Sequence, residues 1–290
     1  MSDANNIHFR KMNGLGNDFV VVDVRDRSPA LFTQEIVRAI ANRDTGIGCD
    51  QFILIERARK GGDCFMGIRN ADGGEVEACG NAARCIASLM LDETGKAEVA
   101  VETLGAVTRG RRSADGGITV DMGAPRLEWH EIPLAEEIRD TRGIELQIGP
   151  IDKPILHTPA VVNVGNPHAI FFVKDLDIVD LAKVGPLLEN HPIFPERANI
   201  SLARVIDRSH LELKVWERGV GLTRACGTAA CAAAVASARK RLTGRTVTVT
   251  LPGGDLHIEW RESDDHILMS GPASFDYDGT LDPHFFGGQP

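Results

Sequence analysis

The chain has 290 residues, a length that suggests two domains at about 150 residues each. Hydrophobic residues make up 43% and charged residues 25%, the make-up of a soluble globular protein, and no apolar run reaches the roughly 18–20 residues of a membrane helix. The formal charge of −9 argues against a nucleic-acid partner, which needs clustered basic surface; the short basic clusters at 109–112 and 239–241 read as solvated faces.

The N-terminal stretch, with Asp3, Asn5, Asn6 and His8, lacks the basic-then-apolar plan of a signal peptide, so the expected compartment is the cytoplasm. There the six cysteines, Cys49, Cys64, Cys79, Cys85, Cys226 and Cys231, are expected as thiols. None forms a CxxC pair of the zinc type, and no metal is expected. Residues 19–24 form an apolar run of strand length. Thr33 caps a helix carrying Ile36, Val37 and Ile40 on one face. Strands follow at Gln51–Glu56 and 65–69. Gly80–Thr94 has a helix pattern, with Ile86, Leu89 and Met90 apolar and Gly95 where a C′ glycine belongs. Strands at 99–103 and 118–122 close the first half. In the second half, Leu181–Glu189 reads as a helix broken near Gly185-Pro186, and 211–216 alternates as a strand. An Ala-rich helix spans 227–242 and ends in Lys240 and Arg241, favourable charges at a helix C-terminus. Its narrow profile predicts a central helix buried by a wrapping sheet.

The halves repeat one another. Ala78-Cys79-Gly80-Asn81-Ala82-Ala83 returns 147 residues later as Ala225-Cys226-Gly227-Thr228-Ala229-Ala230. Gly16-Asn17, before the apolar run 19–22, matches Gly165-Asn166 before 169–173, an offset of 149. Gly95 and Gly244 also differ by 149, and the glycines of Met122-Gly123-Ala124-Pro125 and Met269-Ser270-Gly271-Pro272 by 148. Landmarks in the same order at near-constant offset imply two copies of one domain, 1–124 with 273–290 and 125–272. The tail 273–290 is expected to pack back on the first copy. The fold class is α+β: two pseudo-symmetric domains, each a mostly antiparallel sheet wrapped around a central helix.

Each repeated cysteine stands where a polar loop enters a helix. Unpaired N–H groups there carry about half a positive charge, which can lower a thiol pKa from about 8.5 to about 3.5–7.5. The same amides cradle a carboxylate, and Gly80 and Gly227 allow close approach to the backbone. Two such helices facing one cleft would set two thiols around one molecule. That is the equipment of amino-acid racemisation without a cofactor: a thiolate takes the α-proton, a thiol returns one, and the helix starts stabilise charge on the carboxylate. There is no P-loop, Rossmann fingerprint or clear anchor lysine, so no cofactor is expected. Cys85 and Cys231, inside the helices, and Cys49 and Cys64, without counterparts, read as core residues.

The chain resembles the diaminopimelate epimerase family in segments spanning nearly its whole length: Lys11-Met12-Asn13-Gly14-Leu15-Gly16-Asn17-Asp18-Phe19, Gly46-Ile47-Gly48-Cys49-Asp50-Gln51, Asn70-Ala71-Asp72-Gly73, residues 78–84, Gly165-Asn166-Pro167-His168, Glu217-Arg218-Gly219 and residues 225–231. The resemblance implies interconversion of LL- and meso-2,6-diaminopimelate, in lysine and peptidoglycan precursor synthesis, with Cys79 and Cys226 as the acid/base pair. It also implies substrate contact by Asn17, Gln51, Asn70, Asn166, Asn199, Glu217 and Arg218. Gly80-Asn81 and Gly227-Thr228 would form a backbone cradle, and His168 and Glu217 would tune the thiols. Ala82 and Ala230 stand where the family commonly has Gly, and Leu222 where Glu is expected. A proline or hydroxyproline racemase is the rival enzyme reading; Asn70, Asn166, Asn199 and Arg218 speak against it, because a proline ring has no distal charged head. A redox-responsive binding protein that cross-links Cys79 to Cys226 is the third, though thiols flanking a substrate carbon stand well beyond the roughly 2.05 Å of a disulfide. The partner is a small molecule, with neither nucleic acid nor membrane, and the sequence is compatible with a homodimer.

Overall fold

The structure, a computed structural model, describes residues 7–286. Residues 1–6, on which most of the signal-peptide reading rests, and the last four residues of the tail lie outside the described residues. The chain divides into two compact units, Met1–Val120 with Gly271–Pro290 and Asp121–Ser270.

In the first unit β1 (His8–Gly14) and β2 (Asn17–Asp23) form an antiparallel hairpin. Both turn residues, Leu15 at φ 63° and Gly16 at φ 83°, are left-handed, which matches the twist of a two-residue hairpin. Helix α1 (Gln34–Ala41) starts at Thr33, whose hydroxyl accepts from the Ile36 N–H at 3.4 Å. It crosses to β3 (Gln51–Glu56), which lies parallel to β2. Antiparallel β4 (Cys64–Asn70) and the short β5 (Glu75–Val76) follow. A second crossover, α2 (Gly80–Thr94), leads to β6 (Glu98–Glu102), parallel to β4. The meander ends in β7 (Val107–Arg112) and β8 (Ile118–Asp121).

Phe19, Val20, Val21 and Val22 are all buried, as in a strand covered on both faces. On the α1 side, Val20, Val22, Phe52 and Leu54 pack with Phe32, Val37 and Ile40. Helix α2 buries Ala82, Ala83, Cys85, Ile86, Ala87 and Met90 and packs on β1, β4, β6 and β7. Gly110 of β7 comes so near that a Cβ there would stand 2.5 Å from the Ala87 Cβ.

The second unit opens with a hairpin of β9 (Gln147–Ile148) and β10 (Leu156–His157). It then repeats the first unit element for element: antiparallel β11 (Ala160–Asn163) and β12 (Pro167–Phe172), helix α3 (Leu181–Glu189), and β13 (Asn199–Asp207) parallel to β12. Antiparallel β14 (His210–Glu217) and β15 (Gly221–Thr223) lead into α4 (Gly227–Arg239). Next come β16 (Thr246–Leu251), parallel to β14, then antiparallel β17 (Gly254–Trp260) and β18 (Ile267–Gly271). Residues 229–236 of α4 are buried throughout, and the helix packs on β11, β12, β13, β14, β16 and β17. The last strand, β19 (Ser274–Thr280), belongs to the first unit and pairs antiparallel with β1, from His8↔Thr280 to Asn13↔Ser274.

Three expectations change. Helix α3 is unbroken, with Pro186 inside it. Gly185 lies against the Trp216 ring, where a Cβ would come within 2.5 Å, and this packing holds the turn despite the hydrogen bond that proline removes. Helix α4 stops at Arg239, with Lys240 as its C-cap. Arg239 is not a solvated charge: it is partly buried, donates to the Thr141 hydroxyl at 3.0 Å, and has its pKa lowered by that burial.

Candidate active site

Cys79 and Cys226 occupy the same place in the two units. Each is the N-cap of the buried helix of its unit, in extended conformation, at φ −147° before α2 and φ −135° before α4. The first helical N–H groups have no partner within the helix, and no acidic residue stands in the first turn of either. The Cys79 sulfur accepts from the Ala82 N–H at 3.5 Å. The Cys226 sulfur lies 3.5 Å from the Thr228 hydroxyl.

Around Cys79, a directed chain of hydrogen bonds sets the amide side chains. Buried Arg84 donates to Asn81 Oδ1 at 3.0 Å, and Asn81 Nδ2 donates to Asn17 Oδ1 at 3.4 Å. Asn17 Nδ2 in turn donates to Asp50 Oδ2 at 3.0 Å, while Arg43 holds Asp50 Oδ1 at 2.7 Å. A cation at one end and an anion at the other leave one sense for every amide. The Asn17 carbonyl oxygen therefore faces the Cys79 sulfur, 3.8 Å away. Beside this chain, Gln51 Nε2 donates to Asn70 Oδ1 at 3.1 Å, and Gln51 Oε1 is buried without a partner. Asp18, bonded by Lys11 and Arg43, is held well below the usual carboxylate range.

In the second unit, Asn166 Oδ1 accepts from His168 Nε2 at 2.8 Å. His168 is wholly buried, and burial together with the nearby Arg218 charge lowers its pKa to about 3. A neutral ring that donates from Nε2 presents Nδ1 as an acceptor, and that atom has no partner. Asn199 Nδ2 donates to the Pro167 carbonyl at 3.0 Å, and its Oδ1 accepts from the Arg218 N–H at 3.0 Å. The Arg218 guanidinium donates to the Glu196 carbonyl at 2.9 Å. Glu217 accepts from the Thr223 hydroxyl and hydrogen-bonds the Cys226 thiol.

The thiol electrostatics differ from the expectation of a helix start. Complete burial pushes the Cys226 thiol well above its usual pKa, the Glu217 carboxylate pushes the same way, and the Thr228 hydroxyl and Ala229 N–H oppose them. Desolvation outweighs the helix start here, so Cys226 is a neutral thiol at neutral pH. Burial raises Cys49 to about 11 and Cys64 and Cys85 to about 12. None of the six cysteines is in a disulfide. No group of metal-ligating side chains occurs among the described residues, and no helix among them is long and apolar enough to cross a membrane.

The duplication extends to the polar set. Asn17 opens β2 and Asn166 stands just before β12; Gln51 and Asn199 open β3 and β13; Asn70 and Glu217 end β4 and β14. Arg218 and His168 lie where the first unit has Ala71 and Phe19. Arg84, Asp50 and Arg43, which orient the amides, escape a reading of the sequence, because only the fold brings residues 43, 50 and 84 to one asparagine. A surface cavity of about 370 Å³ lined by Glu35, Thr45 and His284 includes none of these residues.

A cysteine heads the buried helix in each copy of the duplicated α+β unit. A hydroxyproline epimerase from Agrobacterium vitis, solved with bound trans-4-hydroxy-L-proline, superposes with a TM-score of 0.67 at 14% identity, covering 99% of this chain and 96% of that one. A phenazine biosynthesis protein of the PhzF family from Bacillus anthracis does so with a TM-score of 0.64 at 17% identity, over 97% and 99%. The family model for diaminopimelate epimerase matches residues 9–128 and 160–275. Diaminopimelate epimerases of Rhodopseudomonas palustris and Nitrobacter hamburgensis are 56% and 54% identical, each over 99% of this chain and over 98% and 99% of their own lengths. The chain belongs to the diaminopimelate epimerase family.

Proposed function

We propose that this protein interconverts LL- and meso-2,6-diaminopimelate, using Cys79 and Cys226 as its two proton carriers, and so serves lysine and peptidoglycan precursor synthesis. The observation that carries the reading is the equivalence of the two cysteines, each the N-cap of the buried helix in one copy of a duplicated unit. One thiolate takes the α-proton: the Cα–H bond breaks, an S–H bond forms, and the electron pair spreads into the α-carboxylate. The opposite thiol then returns a proton to the other face of the same carbon, so the two sulfurs end with exchanged protonation states and no redox change. The unpaired N–H groups of Gly80-Asn81 and Gly227-Thr228 bind the carboxylate as its charge grows. Each thiol serves as base in one direction of the interconversion and as donor in the other.

Arg218 binds the distal carboxylate as a fork. Asn17, Gln51, Asn70, Asn166, Asn199 and Glu217 supply paired donors and acceptors for the two amino-acid heads. His168 and Glu217 tune the thiols, His168 through the Asn166 side chain and Glu217 directly. We place the protein in the cytoplasm, where these thiols stay reduced. It works as a homodimer in this proposal: Phe275 and Tyr277 of β19 are exposed by 56% and 47%, and exposed aromatics on a strand suit a self-complementary two-fold contact. Sedimentation checks this; Tyr277→Asp should shift the protein to monomer, and a wild-type monomer at micromolar concentration would refute it.

The test of the activity is incubation with LL-diaminopimelate in deuterated water with no added cofactor. Deuterium at one α-carbon together with meso product, lost in both Cys79→Ser and Cys226→Ser, is the expected result. Exchange with proline or hydroxyproline alone would move the protein to the sister racemases. Binding without exchange of any amino acid would refute the enzymatic reading.

A further inference from the structure

Glu189 is the last residue of α3 and is only 4% exposed. A carboxylate is unfavourable at the negative end of a helix and costly to bury, so its place there depends on what it binds. Its oxygens accept from Trp216 Nε1 at 2.7 Å, from the Gly219 N–H at 2.9 Å and from Arg197 Nη1 at 3.3 Å. Trp216 and Gly219 immediately flank Glu217 and Arg218. One carboxylate therefore grips both ends of the turn that carries those residues, and Gly219 holds a left-handed φ of 73° within that grip. Glu189 also controls the segment on which the Arg218 side chain rests. Its own carbonyl accepts from the Ala198 N–H at 3.3 Å, Arg197 is bonded to its carboxylate, and Glu196 between them and the helix accepts from Arg218 Nη1.

We infer that Glu189 is a positioning residue for substrate recognition, fixing the main chain of the Glu217-Arg218 turn and the rest of the Arg218 guanidinium at once. The inference rests on the reading above, in which Arg218 binds the distal carboxylate. The equivalent turn of the first unit, Asn70 to Gly73, is also held from the equivalent helix, but by donors: Gln34 Nε2 and Arg38 Nη2 reach the Asp72 carbonyl at 3.2 and 3.4 Å. A carboxylate is needed in the second unit because three N–H donors converge there, and an amide offers only one acceptor atom.

The test is Glu189→Gln in the full chain. A misplaced Arg218 fork weakens binding of ground state and transition state alike, so KM for LL-diaminopimelate should rise about tenfold with kcat within about twofold of wild type. The Trp216 indole N–H resonance should move upfield as its charged acceptor is lost. In an Arg218→Ala background the same substitution should change KM by less than about twofold, because the coupled partner is gone. An unchanged KM with a shifted indole, or an equal rise in KM in the Arg218→Ala background, would overturn the inference. Should E189Q fail to fold, Trp216→Phe removes one donor and leaves the carboxylate in place; raised KM with kcat retained supports the role, and unchanged KM overturns it. If the wild-type protein leaves diaminopimelate untouched, the activity reading fails instead, and that arm is read before the variants.

Discussion

At the residue scale, Cys226 shows how a helix start and its surroundings compete. The helix offers unpaired N–H groups, yet burial and the Glu217 carboxylate together keep the thiol protonated. Replacing Glu217 with Gln removes the second of these influences, so Cys226 should ionise at lower pH than in the wild type. Thiolate ultraviolet absorbance, taken as the difference between E217Q and E217Q/C226S, measures it; an unchanged or raised ionisation pH would show that Glu217 does not act on this sulfur. The sequence marked both cysteines, because the hexapeptide around each is written twice. It did not reveal their electrostatics. Burial of a side chain is set by the fold rather than by the hexapeptide, and Glu217 acts on the sulfur across the bend between β14 and β15.

At the element scale, Gly185 in α3 sets two rules against each other. Alanine gains about 1 kcal/mol of helix propensity over glycine, but a Cβ at this position would stand 2.5 Å from the Trp216 ring. Overpacking of this kind costs about 1–3 kcal/mol, so Gly185→Ala should destabilise the protein. Denaturant midpoints decide it, and a raised midpoint would show that the ring gives way. The same contact explains why reading the sequence broke the helix at Gly185-Pro186: both residues are helix breakers by propensity, and only the packed indole overrides them. Helices α1, α2 and α4 were legible from their caps and apolar periodicity. Strand β1 was not, since Arg10, Lys11 and Asn13 break its alternation. Lys11 is nevertheless buried, because its ammonium donates hydrogen bonds to Asp18 and to the Gly48 carbonyl. Strand β7 was hidden in the same way, its arginines facing solvent while Gly110 faces α2.

At the scale of the whole molecule, buried thiols govern the alkaline limit. Cys49, Cys64 and Cys85 have folded pKa values of about 11, 12 and 12, raised by burial from the ordinary 9.0. A group with a raised folded pKa contributes stability that is complete below its unfolded value and is lost as pH climbs toward the folded one. For these thiols that window runs from about 9 to about 12. The melting temperature should hold level through neutral pH and fall above about 9, and Cys64→Ala should make the fall shallower. An alkaline slope unaffected by C64A would place the sensitivity elsewhere.

The pairing of β19 with β1 has a consequence for how the molecule is made. The ribosome delivers β1 before and β19 after the whole of Asp121–Ser270. The second unit is contiguous and can close before β19 is made; the first must wait for β19, with Phe9 and Met12 paired on one side only, to β2. A stop codon or protease cut just before residue 274 would therefore spare the later-synthesised unit and expose the earlier one, which is begun before its neighbour and completed after it.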